Sequence, residues 1–202
     1  PLNLDSEIEK WPWPNNNSLD QFDEVSLLHF NYIRVSNQIN EDATSKELRQ
    51  NASRYIIRGI DENFAEHGGL PLMDWDEDLG NNEKEIWQLV SQNERFAIVD
   101  SAFAISYMDG DDETGVQLGD ILVLHNNNNL AVEKEVIIAG ILEEGSLLSL
   151  SGIFVQDDVA IKYFSAEPTR VILSFSDFKT LEERKEISKE LETSFVDFGM
   201  QV

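Results

Sequence analysis

Residues 116–175 read VQLGDILVLHNNNNLAVEKEVIIAGILEEGSLLSLSGIFVQDDVAIKYFSAEPTRVILSF. Apolar runs rich in Val, Ile, Leu and Phe alternate here with short turn-rich breaks at Asn126–Asn129, Glu143–Gly145, Gln156–Asp158 and Ala166–Pro168. Such runs, bounded by Asn, Gly, Pro and Asp, predict β-strands. With a further run upstream, the predicted strands are Arg95 to Met108, Val116 to His125, Leu130 to Leu142, Ser146 to Val155, Val159 to Phe164 and Thr169 to Phe175. Breaks of three or four residues are too short for crossover helices, so consecutive strands are expected to pair antiparallel. The expectation is a meander of about six strands.

Upstream of this region the spacing changes. Phe22, Val25, His29, Ile33 and Ser36 recur at helical intervals behind Ser18 and Gln21, a capping-box pair. Thr44 and Glu47 form a second such pair, followed by a stripe of Leu48, Ala52, Tyr55, Ile56, Ile60 and Phe64 that Gly68-Gly69 would stop. A third helix is predicted over Glu83–Gln92. A last one opens at Thr180 with Glu183 and carries Leu181, Ile187, Leu191 and Phe195 inward. The reading is an α+β protein with about three N-terminal helices, a roughly six-stranded antiparallel meander sheet and a C-terminal helix packed on one face. Residues 1–17, with Trp11-Pro12-Trp13-Pro14, read as an extended arm. Residues 18–202 read as one domain, helical over 18–93, sheet over 94–176 and helical again over 179–195.

Hydrophobic residues make up 41% of the 202, enough for a real core, so general disorder is excluded. No cysteine is present, which excludes disulfides and thiolate chemistry. No apolar run approaches the ~20 residues of a membrane helix. The opening Pro-Leu-Asn-Leu-Asp-Ser-Glu has neither the basic nor the apolar region of a signal peptide. The sequence reads as cytoplasmic.

The formal charge is −24. It is concentrated: residues 71–120 hold 13 acids and 2 bases. Two dense clusters make the excess. Asp74, Asp76, Glu77 and Asp78 precede the third predicted helix, with Trp75 among them. Asp109, Asp111, Asp112 and Glu113 sit in a predicted turn between the first two strands. Four carboxylates within five residues repel one another, and a cation or basic partner relieves that repulsion. The opposite charge gathers at Lys46, Arg49, Arg54 and Arg58, a predicted helical stripe that could pair with the protein's own acids or with an anionic ligand.

Asp74, Asp76, Asp78 and Glu85 match positions 1, 3, 5 and 12 of an EF-hand loop, but Leu79 stands where the loop needs glycine. Asp109, Asp111, Glu113 and Asp120 are a poorer copy, so no metal ligand is assigned. HExxH, phosphate-loop, dinucleotide and nucleophile-elbow motifs are all missing, and His29, His67 and His125 lie in different elements. No catalytic residue and no cofactor is assigned.

A charge of this sign disfavours nucleic acid and anionic membrane as direct partners. The leading expectation is a non-catalytic binding protein whose acidic loops engage a basic protein partner, concretely an inhibitor or immunity protein neutralising a cationic toxin or nuclease. Its binding residues would be Asp74, Trp75, Asp76, Glu77 and Asp78 with Asp109, Asp111, Asp112 and Glu113, and Trp75 would be the anchor. The alternatives are an enzyme or small-ligand domain with a pocket between sheet and helices, and a structural or phage-associated assembly component.

Overall fold

A computed structural model describes residues 22–37, 53–106, 116–143, 150–175 and 179–195. The strands are β1 (Phe22–Asn37), β2 (Ser53–Ile60), β3 (Leu72–Trp75), β4 (Phe96–Val99), β5 (Ile121–Asn126), β6 (Glu133–Leu142), β7 (Ile153–Gln156) and β8 (Glu167–Phe175). The helices are α1 (Glu62–Glu66), α2 (Glu83–Gln92), α3 (Ser101–Ser106), α4 (Asp157–Phe164) and α5 (Leu181–Phe195). The chain divides into two compact units. Ser26–Ile172 form one, and the two chain ends form the other, to which α5 belongs.

The larger unit is a closed barrel. Its strand order is β2-β7-β4-β6-β5-β1, and β1 pairs again with β2 to complete the ring. Four of the six seams are antiparallel; β2 with β7 and β4 with β6 run parallel. β3 pairs with the end of β6, and β8 lies beside β1.

This corrects the expected helices and antiparallel meander. The segments from Phe22 and from Ser53, expected as helices, are strands. Opposite faces of β1 enter different cores: Ile33 and Val35 point into the barrel, whereas Leu28 packs outside it. A strand apolar on both faces lacks clean alternation and satisfies a helical template by chance. The error in the sheet region is the reverse. Val159–Phe164 is part of α4, and the second half of the run from Arg95 is α3. Each is a short apolar run whose period does not separate helix from strand. α3 lies in the connection from β4 to β6, which pair parallel, whereas α4 follows β7 and leads to β8. The Trp11–Pro14 segment, the Ser18 and Thr44 capping pairs and the acidic cluster at 109–113 fall outside the described residues.

Two cores follow from strand alternation. Inside the ring, Ile33, Ile57, Val99, Leu124, Ile138 and Val155 come one from each strand, and Phe103 of α3 and Phe164 of α4 pack with them. Outside, α1 and α2 cover Ile60, Ile98, Ala139 and Phe154. Trp87 of α2 is the centre of this outer core. It stands edge-on to Phe64 and Phe154, with centroids 5.2 and 5.4 Å away, and its Nε1 donates to the Leu70 carbonyl at 2.9 Å.

Helix ends are fixed locally. Asp61 caps α1 by accepting from Phe64 N, and Asn82 caps α2 by accepting from Glu85 N. Glu85 accepts in return from Asn81, which holds its carboxyl below the usual range. In the smaller unit, the Thr180 and Glu183 side chains reciprocate at the start of α5, and those bonds lower the Glu183 pKa.

Gly68 and Gly69 both adopt positive φ, at 85° and 63°. Their surroundings differ. A Cβ on Gly69 would lie 2.4 Å from the Trp87 ring, whereas one on Gly68 would meet nothing within 4 Å. Gly68→Ala should therefore cost about 1 kcal/mol, the left-handed backbone term alone. Gly69→Ala should add overpacking and cost about 3 kcal/mol or more. Urea denaturation of the two variants checks this; equal losses would show that Trp87 yields without cost.

Candidate functional site

Three groups of polar side chains stand out in the larger unit. The first is structural. Asp100 follows β4 at one rim of the barrel and is buried. Its Oδ1 accepts from Tyr55 Oη at 2.6 Å and Phe103 N at 2.5 Å, and its Oδ2 accepts from Gly152 N at 2.5 Å. Asp100 N donates to the Gly152 carbonyl at 3.1 Å. One carboxylate thus ties β4 to β2, to the start of α3 and to the residue before β7. Gly152 has φ 141°, and a Cβ there would lie 3.1 Å from the Ile56 carbonyl, so the tie also needs a glycine.

The second group lies at the β2–α4 junction. His29 Nδ1 meets Asp157 Oδ1 at 2.5 Å. Gly59 makes room for this contact, since a Cβ there would lie 2.6 Å from Asp157 Oδ1. Asp61 accepts from Leu27 N at 3.1 Å and Phe64 N at 2.8 Å. Burial raises the Asp61 pKa, nearby Asp157 adds to the rise, and the backbone donors oppose it.

The third group faces outward and is the candidate binding site. On β1 and β2 the register sets Phe30 opposite Arg58, Tyr32 opposite Ile56 and Arg34 opposite Arg54. Alternation places these six on the outer face of the barrel wall. The Arg54 guanidinium lies 4.0 Å over the Tyr32 ring. Arg58 is buried, donates from Nε to the Ser151 carbonyl at 2.8 Å and lies 5.6 Å from the Phe30 ring centre. Burial and the neighbouring Arg170 of β8 push its pKa down to about 10, with Asp100 opposing. A cleft of about 340 Å³ opens at this rim, lined by Tyr32, Arg54, Tyr55, Ile56, Ser151 and Gly152. Its chemistry is an apolar and aromatic wall beside a guanidinium, which suits an anion carried on an apolar body.

The acidic cluster expected as the partner-binding loop is arranged differently from the expectation. Asp74 and Trp75 belong to β3, while Asp76, Glu77 and Asp78 form the turn after it. Asp74 and Asp76 accept from the backbone of Trp75 and Asp78, and Trp75 packs half-buried against the outer core. Glu85 is held by Asn81 and Asn82 rather than turned toward Asp74. Among the described residues no three His, Asp or Glu side chains converge on a metal position. Of the basic stripe, Lys46 and Arg49 lie outside the described residues. Arg54 and Arg58 lie on a strand, not a helix, and the sheet brings Arg34 and Arg170 to them. The sequence reading missed the last two because they are distant in the chain; the signal available was the alternation Arg54-Tyr55-Ile56-Ile57-Arg58.

The sequence matches no protein-family model and no curated protein. Its fold is found among solved structures. The chain is similar to the extracellular domain of the noncanonical ABC-type transporter YknZ from Gram-positive bacteria, with TM-score 0.50 and 13% identity over 92% of this chain and 81% of that one. Other matches are the periplasmic region of MacB from Actinobacillus actinomycetemcomitans, with TM-score 0.47, 12% identity and coverage of 88% and 69%, and a domain of a putative permease from Porphyromonas gingivalis, with 0.44, 12% and coverage of 86% and 64%. At such identity the likeness defines a fold class. It overturns the expected cytoplasmic inhibitor or immunity protein, because the YknZ domain that shares this fold is an extracellular part of a transporter.

Two outcomes test the polar groups. Asp100→Asn presents an amide N–H₂ to at least one of three donors, and should cost about 2–4 kcal/mol in denaturant unfolding. Tyr55→Phe, which leaves the two backbone donors satisfied, should cost about 1–2 kcal/mol. At the second group, Asp61 has a folded pKa above its ordinary 3.8. The folded state therefore takes up this proton before the unfolded state does. Relative to Asp61→Asn, the wild type should gain stability as pH falls from 7 through the folded pKa toward 3.8. A stability difference that stays constant over that window refutes the assignment.

Proposed function

We propose that this chain is an extracytoplasmic domain of a membrane transporter component of the ABC type. The observation that carries the reading is the match to the YknZ extracellular domain, which spans 92% of this chain and 81% of the other at TM-score 0.50. Coverage of that extent on both sides argues for correspondence of a whole domain rather than of a shared barrel fragment. The location of the polar groups supports it further. Asp100 and the His29–Asp157 pair brace the barrel from within, and the Arg54–Tyr32 cleft faces outward as a recognition surface. In this reading the domain binds and positions rather than catalyses, and chemistry would reside elsewhere in the assembly.

The test is the side of the membrane. Antiserum raised against the purified 202-residue chain is used on spheroplasts of the organism that encodes it, treated with an external protease. Digestion of the antigen, with a cytoplasmic marker spared, is expected. An antigen that stays protected and fractionates with the cytosol would sink the proposal.

A further inference from the structure

We infer that the outer face of β1 and β2 is a docking site for an extended acidic segment of a partner polypeptide, with an apolar side chain seated in the Tyr32–Ile56–Gly152 cleft. Charge complementarity is the first argument. The chain carries −24 overall, yet this face presents Arg54, Arg58 and Arg170 together, and Arg170 lies close enough to Arg58 for the guanidiniums to repel. Arg54 and Arg170 are exposed, and there an anionic partner meets complementary charge. The fork of Arg54, stacked on Tyr32, is preoriented to receive a carboxylate.

Length is the second argument. Arg54 and Arg58 are four residues apart on one face of a strand, about 13 Å at 3.3 Å per residue. Arg58 is buried and contributes field rather than a free fork; Arg170 presents the exposed fork at that end. One small anion does not bridge such a distance. An extended peptide with carboxylates four residues apart does, and its central side chain points to the same side. The cleft, at about 340 Å³, has room for that central side chain between Tyr32 and Ile56. The proposal goes beyond the extracytoplasmic reading and does not depend on it, since the face is the same on either side of a membrane.

The experiment uses the full 202-residue chain and the capped peptide Asp-Leu-Phe-Leu-Asp, followed by calorimetry and by amide chemical shifts. Binding is expected, with shifts centred on Tyr32, Arg54 and Gly152. The peptide Asn-Leu-Phe-Leu-Asn should bind about tenfold more weakly or not at all, the value of a charge-assisted pair. Arg54→Gln should weaken the acidic peptide by a similar factor, and Arg54→Lys less. Arg170→Gln is the second variant if Arg54→Gln does not fold. Equal binding of the neutral peptide, shifts centred elsewhere, or unchanged affinity in a folded Arg54→Gln protein would overturn the proposal. So would binding to anionic phospholipid vesicles, lost in Arg54→Gln, without binding to the peptide.

Discussion

Seven consecutive residue pairs, from His29 opposite Gly59 to Val35 opposite Ser53, close the barrel. Without this seam the remaining five pairings of the ring leave an open sheet, and the facing stretches of β1 and β2 become two rows of unpaired backbone groups. The seam removes both edges at once. It also encloses the inner core, because Ile33 and Val35 on one side and Ile57 on the other seal a wall onto which Phe103 and Phe164 pack. The candidate cleft is a product of the same seam. Its aromatic floor is Tyr32 and its cation is Arg54, adjacent only because β1 and β2 pair in this register.

Where the inner core ends, polar groups take over the work of holding strands together. Asp100 collects donors from Tyr55, Phe103 and Gly152, which belong to three different parts of the ring. A buried carboxylate is unfavourable unless its oxygens are satisfied, and three donors satisfy it. The opposite end of β2 is held by a different device, the approach of Asp157 and Ala160 over Gly59. Apolar packing alone does not fix register around a ring. These directional contacts do.

Much of the local structure was legible in the sequence, and the architecture was not. The helix over Glu83–Gln92 and the one opened by Thr180 and Glu183 lie where spacing and capping residues place them. Strands β5, β6 and β8 overlap the apolar runs that signalled them. The failures have one physical origin. Strands covered on both faces, such as β1, lose the period of two, and short buried helices, such as α3 and α4, lose the period of 3.6. Once β1 and β2 are read as helices, β7 has no strand left to pair with in parallel at that side, and a meander is all that remains. The acidic surface was legible as charge but not as geometry: Asp74 and Trp75 stand on β3, and Asp76, Glu77 and Asp78 on the turn after it. The cationic face was half legible, since Arg54 and Arg58 are neighbours in sequence and Arg34 and Arg170 are not.

The parallel seam between β2 and β7 joins Ile57 to Ile153, nearly a hundred residues along the chain. β7 also separates β2 from β4, so the ring has no complete wall until residues 153–156 exist. Until β7 is made, β2 and β4 stay unbridged and their apolar faces uncovered. Long-range closure of this kind folds slowly and exposes strand edges to wrong partners in the interval. The order of the strands makes the barrel a structure that completes late and all together.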